Sequence, residues 1–135
     1  MSLADILARH KGREGPLLPI LHDVQAAFGH VSEDAIRAIA QDLNLTRAEV
    51  HGVVSFYHDF KSAPDARPVI KLCRAEACQA RGVDALAAAL PADTSVKIET
   101  VYCLGLCAVG PAAMVGSDVY ARLDGERLKA LVNAA

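Results

Sequence analysis

Val96-Lys97-Ile98-Glu99-Thr100-Val101-Tyr102 alternates in the manner of a strand and runs directly into Cys103-Leu104-Gly105-Leu106-Cys107. Successive side chains of a strand point to opposite faces, so this pattern predicts a half-buried strand whose end delivers a pair of thiols. An earlier stretch is built the same way. Val69-Ile70-Lys71-Leu72 ends at Cys73, and Arg74-Ala75-Glu76-Ala77 separates it from Cys78. Neighbouring strands lie roughly 5 Å apart, so two such loops at one end of a sheet can bring their thiols into one small volume.

The surrounding sequence supplies the rest of an α+β (α/β) unit over residues 68–135. Val83, Leu86, Ala87 and Leu90 have helical spacing, and Pro91 stops that helix. Only Ala92-Asp93-Thr94-Ser95 separates Pro91 from the second strand. Ala113-Met114-Val115 and Val119-Tyr120-Ala121-Arg122-Leu123 flank Gly116-Ser117, a predicted type II′ hairpin turn. Asp124 is a predicted cap for a last helix carrying Leu128, Leu131 and Val132. The predicted order is β-α-β-β-β-α.

Residues 1–62 read differently. Leu17, Ile20, Leu21, Val24, Ala27 and Phe28 recur with a helical period, as do Ile36, Ile39, Ala40 and Leu43, and then Val50, Val53, Val54 and Tyr57. Ser32 is placed as an N-cap, Thr46 with Glu49 as a capping box, and Gly29 at a helix end. A further short helix is expected over residues 2–10. The result is a helical bundle, joined to the second unit by KSAPDARP at residues 61–68, which has two prolines and no apolar period.

Composition narrows the chemistry. The 135 residues are 53% hydrophobic and carry a formal charge of −2 with the two signs interspersed, unlike the one-sided basic surface of a nucleic-acid binder. No apolar run approaches the ~20 residues of a membrane span, and MSLADILARH is not a signal peptide, so no membrane insertion and a cytoplasmic location are expected. Thiols stay reduced there, which makes four cysteines more plausible as metal ligands or redox groups than as staples.

An all-cysteine iron–sulfur site needs four convergent thiolates, and Cys73, Cys78, Cys103 and Cys107 meet that need. Gly105 allows close backbone approach, and Gly110-Pro111 turns the chain past the last thiol. Ala75, Ala77, Leu104, Leu106, Ala108 and Val109 are expected to exclude water. Backbone N–H groups in the loops can point at sulfur, and Lys71 and Arg74 could add positive charge. Structural zinc accepts the same donors but more often uses C-x2-C knuckles. A thioredoxin-type dithiol would show C-x-x-C, which neither pair does. Zinc, a thiol–disulfide role and inert thiols therefore stay open on spacing alone.

From about Gly15 to Leu131 the chain resembles the thioredoxin-like [2Fe–2S] ferredoxins, which include the 24-kDa-type subunit of respiratory NADH dehydrogenase. The resemblance is carried by C-x4-C and by Cys103-Leu104-Gly105-Leu106-Cys107-Ala108-Val109-Gly110-Pro111. A second matching stretch is Val50-His51-Gly52-Val53-Val54-Ser55-Phe56-Tyr57, followed by Phe60. It implies a helical bundle followed by a thioredoxin-like domain. It also implies one [2Fe–2S] cluster, with Cys73 and Cys78 on one iron and Cys103 and Cys107 on the other.

The resemblance also implies a partner that carries FMN and the NAD(H) site; this chain itself has neither G-x-G-x-x-G nor a P-loop. The segment from Cys73 to Ala80, CRAEACQA, is most similar to gamma subunits of soluble NAD-dependent formate dehydrogenases. That implies a further partner, the large formate-oxidising subunit with its molybdenum or tungsten centre. Respiratory NADH:quinone oxidoreductase and NAD-reducing hydrogenase are the alternative assemblies. A zinc-stabilised interaction module is the alternative of another class. The helical half, too small for much core of its own, is expected to pack on the flavin subunit.

Other residues carry plainer readings. His51 and His58 are seven apart on one helix face and read as surface or packing. Phe56, Tyr57 and Phe60 read as core, and Glu33-Asp34 as a complement to a helix dipole. No catalytic nucleophile–base arrangement is present.

Overall fold

The computed structural model describes residues 1–92 and 95–135; Asp93 and Thr94, in the short connection before the second strand, lie outside the described residues. The chain divides into two compact units, Met1–Ala66 and Arg67–Ala135.

The first unit has four helices: α1 (Leu3–Arg9), α2 (Leu17–Phe28), α3 (Glu33–Leu43) and α4 (Arg47–Phe56). Their ends follow from local chemistry. The Ser2 hydroxyl accepts from the Asp5 N–H while the Asp5 carboxylate accepts from the Ser2 N–H, a capping box that opens α1. The Thr46–Glu49 box opens α4 in the same way. Ser32 accepts from the Ala35 N–H at the start of α3. Gly29 closes α2 in the left-handed conformation (φ 73°), where a side chain would be strained.

The apolar faces meet in a core of Ile6, Ile20, Leu21, Val24, Val31, Ile36, Ile39, Val50, Val54 and Phe60. The bundle therefore has its own core, contrary to the expectation of little. The aromatic expectation also needs correction: Phe60 is buried, but Phe56 is 74% exposed and Tyr57 41%. At about 100° per residue, Phe56 stands on the side of α4 opposite the buried Val50–Val54 face. Tyr57 caps that helix in an extended conformation.

The second unit runs β1 (Val69–Cys73), α5 (Glu76–Ala80), α6 (Val83–Ala88), β2 (Lys97–Val101), a 3₁₀ turn (Cys107–Val109), β3 (Ala113–Val115), β4 (Asp118–Tyr120) and α7 (Gly125–Ala134). The strand order in the sheet is β2-β1-β3-β4. β1 pairs parallel with β2 and antiparallel with β3, and β3 pairs antiparallel with β4. As the central strand, β1 has Ile70 and Leu72 fully buried, packed in one core with Val83, Val96, Ala113 and Leu128. Asp124 accepts from the Arg127 N–H and caps α7, as expected.

Val115 pairs with Asp118, so Gly116-Ser117 is a two-residue turn, with Gly116 at φ 60° as a II′ turn requires. The last strand is earlier and shorter than the 119–123 expected. Residues 122 and 123 leave the sheet because their N–H groups are used elsewhere, Arg122 on the Val109 carbonyl (2.7 Å) and Leu123 on the Pro111 carbonyl (3.1 Å). Among the described residues, no helix is long and apolar enough to cross a membrane.

Candidate metal centre

The sheet register positions the thiols. Cys73, the last residue of β1, pairs with Val101, the last residue of β2, so both cysteine segments leave the sheet at the same end. Backbone bonds fix the first segment: Cys73 N–H to Ala112 O (3.0 Å) and Arg74 N–H to Val101 O (2.9 Å). The chain then enters α5, which carries Cys78. The second segment turns at Cys103, which takes a left-handed conformation (φ 69°) rare for any residue but glycine. Its N–H reaches Cys73 Sγ at 3.3 Å. Gly105 (φ 78°) makes the next bend, and Cys107 opens the 3₁₀ turn.

All four thiols are free. Sγ of Cys103 and Sγ of Cys107 lie 3.6 Å apart. Two thiolates on one tetrahedral metal at ~2.3 Å stand about 3.8 Å from each other, whereas a disulfide requires about 2.05 Å. The Cys73 and Cys78 thiols hydrogen-bond to each other. Among the described residues no three His, Cys, Asp or Glu side chains converge as on a single ion. The sulfurs instead meet as two pairs, linked by the Cys103 N–H. An all-thiol donor set in two pairs fits a dinuclear iron–sulfur group.

The two pairs differ in environment. Cys73 and Cys78 are each 2% exposed, while Cys103 and Cys107 are exposed. The expected dry shell therefore surrounds only the first pair; in the second segment Leu104 and Leu106 are half-buried and Ala108 is exposed. Burial pushes the Cys73 thiol up. The N–H groups of Ala75, Cys103 and Leu104 and the Cys78 thiol outweigh it and leave Cys73 below its ordinary value. For Cys78, burial and the bond to Cys73 raise the thiol, against one N–H from Ala112. Cys107 is raised chiefly by its hydrogen bond with Cys103.

Two expected helpers act differently from expectation or sit elsewhere. Arg74 turns to Asp84, with Nε and Nη2 each 2.7 Å from the same carboxylate oxygen, and so ties the first segment to α6. Lys71 lies mid-strand in β1, opposite Glu99 and Met114. His51 stays near Glu33 (3.7 Å) on the surface of the helical unit. Gly110 is a site residue whose reason was not legible. A Cβ there would stand 3.0 Å from Cys78 Sγ, although its backbone (φ −63°, ψ 168°) suits any residue. It is glycine for space beside a sulfur, not for conformation.

A mixed four-stranded sheet, with two cysteine segments leaving the same end of its parallel strands, defines an α+β domain of the thioredoxin-like kind. The sequence profile of the thioredoxin-like [2Fe–2S] ferredoxins matches residues 3–135, and the chain belongs to that family. It is similar to the NADP-reducing hydrogenase subunit HndA of Solidesulfovibrio fructosivorans, at 30% identity over 131 residues covering 89% of this chain and 77% of that one. It is also 30% identical over 138 aligned positions to an NADH-quinone oxidoreductase subunit of Rhizobium meliloti, covering 94% of this chain and 82% of the relative. Among solved structures, an NAD+-reducing [NiFe]-hydrogenase in the H2-reduced state matches with TM-score 0.65 and 27% identity, covering 87% of this chain. The chain spans only 22% of that hydrogenase polypeptide.

Proposed function

We propose that Cys73, Cys78, Cys103 and Cys107 hold one [2Fe–2S] cluster, and that the chain is the electron-transfer subunit of an NAD-linked oxidoreductase beside an FMN/NAD-binding partner. The observation that carries this reading is the meeting of two thiol pairs, tied by the Cys103 N–H on Cys73 Sγ, in a chain of this family. Bound there, the cluster would supply one-electron transfer between two-electron nicotinamide chemistry and one-electron centres. The residues of this chain hold and orient it. Three N–H groups on Cys73 offset negative charge, and the core behind Cys73 and Cys78 keeps water from that side.

Three assemblies have specific support. The first cysteine segment, CRAEACQA, resembles formate dehydrogenase gamma subunits, which favours a cytoplasmic complex with a large formate-oxidising, molybdenum-cofactor subunit. The relatives named above are hydrogenase and NADH-quinone oxidoreductase subunits, which favours one of those assemblies. Domains at 1–62 and 68–135 belong to the same proposal; the two compact units support the division.

Anaerobic purification of the native complex, with metal, sulfide and flavin analysis, tests both levels. Two irons and two sulfides per copy of this chain are expected. Stoichiometric zinc without sulfide would refute the cluster. Molybdenum or tungsten with a formate-oxidising subunit would select formate dehydrogenase, nickel a hydrogenase, and quinone reductase activity an NADH-quinone oxidoreductase.

A further inference from the structure

Arg81 stands three residues after Cys78, at the C-terminal end of α5. Its side chain crosses to the other cysteine segment, where Nη2 donates to the carbonyl of Ala108, the residue after Cys107 (3.3 Å). Its Cδ lies 3.6 Å from the point where a Cβ on Gly110 would stand, and Cys78 Sγ lies 3.0 Å from the same point. The Arg81 stem, the bare Gly110 backbone and the Cys78 sulfur are thus stacked together. One side chain joins the segment bearing Cys78 to the segment bearing Cys107.

We propose that Arg81 is a positioning residue for the metal centre, clasping the two cysteine segments at a fixed separation and keeping a permanent positive charge on the Cys78 side of the site. The inference rests on the cluster reading. An all-thiolate iron–sulfur group is anionic and gains a further negative charge when reduced. A nearby cation favours the reduced form and raises the potential. Arg81 is exposed, so water and salt screen this effect to a modest size. Arg74 cannot replace it, because its guanidinium is held by Asp84. The clasp itself acts independently of charge: losing the bond to Ala108 frees the 3₁₀ turn relative to α5.

The test compares the iron-loaded full chain with its Arg81→Lys and Arg81→Met variants. Potentials are read by redox titration followed by EPR, and cluster retention by the rate of iron loss to a chelator. Arg81→Met is expected to show a lower potential and iron loss roughly three- to tenfold faster, the scale of one partly exposed hydrogen bond. Arg81→Lys keeps the charge but not the reach of the guanidinium. Its potential is expected to stay at the wild-type value while iron loss quickens. A purely structural Arg81 would give both variants the same potential, which overturns the proposal. So does an Arg81→Met protein with wild-type potential and iron loss. If Arg81→Met does not fold, Arg81→Gln provides the same neutral comparison. A wild-type chain with neither iron nor sulfide overturns the cluster reading and this proposal together. An iron-replete wild type with unaffected variants overturns only this one.

Discussion

Replacing Gly110 by Ala isolates the close approach of backbone to sulfur. The new Cβ stands 3.0 Å from Cys78 Sγ, 3.6 Å from Arg81 Cδ and 3.8 Å from Cys78 Cα. Non-bonded heavy atoms prefer about 3.5–4.0 Å, so the sulfur must give by a few tenths of an ångström to admit the methyl. The backbone imposes no cost, since φ −63° and ψ 168° suit alanine before a proline. Arg81 Cδ at 3.6 Å is in ordinary contact and need not move, whereas Cys78 is 2% exposed and anchored in α5, so its sulfur must yield. In metal-free protein the sulfur turns away at the low end of the ~1–3 kcal/mol usual for overpacking. On the proposed cluster reading, turning away would break a ligand bond, so the penalty would fall mainly on the loaded form.

The assay is the difference in chemical denaturation midpoint between loaded and metal-free protein, together with iron per chain. Gly110→Ala is expected to shrink both. Gly116→Ala is the control. Its Cβ meets nothing within 4 Å, but φ is 60°. That substitution costs about 1–2 kcal/mol of backbone strain, equally in both forms. If Gly110→Ala loads iron fully and keeps the wild-type midpoint difference, the steric reasoning is wrong.

Four further outcomes follow from the same geometry. Ala75 sits at φ −72°, where proline fits, so Ala75→Pro removes one N–H from Cys73 Sγ with little strain. A differential loss of about 0.5–1 kcal/mol lowers the potential by roughly 20–40 mV for one electron, and an unchanged potential in the titration would contradict it. In metal-free reduced protein, alkylation mapped by mass spectrometry should reach Cys103 and Cys107 well before the buried Cys73 and Cys78. In metal-free protein Cys103→Gly should be more stable than Cys103→Ala by about 1 kcal/mol in denaturant melts, because glycine adopts φ 69° freely. Asp23 accepts a 2.7 Å bond from buried His10, and this contact holds its carboxyl below the ordinary value. A depressed carboxyl stabilises the fold above its unfolded pKa and loses that contribution as pH falls through the folded one. Asp23→Asn should therefore be less stable than wild type at neutral pH and equal to it in strong acid; an equal gap at both would remove Asp23 as the cause.

Much of this fold is legible because its signals are local. The β1 span Val69–Cys73, the Thr46–Glu49 box, the Gly29 stop and the Gly116-Ser117 turn each depend on a few adjacent residues. Asp5 reads as a polar interruption in the first helix, yet it completes a capping box with Ser2. The short helix α5 was missed because five residues hold too few apolar positions to show a period. Its signal was Glu76 followed by alanines between the first two cysteines. The unlike burial of the two thiol pairs, the Arg81 crossing and the space at Gly110 are tertiary facts, made by residues far apart in the chain. No local pattern encodes them.

The register of β1 and β2 explains why the second pair needs an unusual backbone. Cys73 is level with Val101, so an extended chain would carry Cys103 two residues, roughly 6.6 Å, past the first thiol. The peptide before Cys103 directs its N–H at Cys73 Sγ, and the left-handed turn at Cys103 takes the chain that follows, which carries Cys107, out of the strand direction. For a residue with a Cβ that conformation costs about 1–2 kcal/mol. Glycine would remove the cost and keep the N–H bond, but it would bring no sulfur. Cysteine at this position is thus the worse choice for the bare fold, and on the proposed cluster reading it is the one that supplies a fourth sulfur. Strain located on a thiol, and offset by a bond to the opposite pair, is what a chain selected for holding metal would retain.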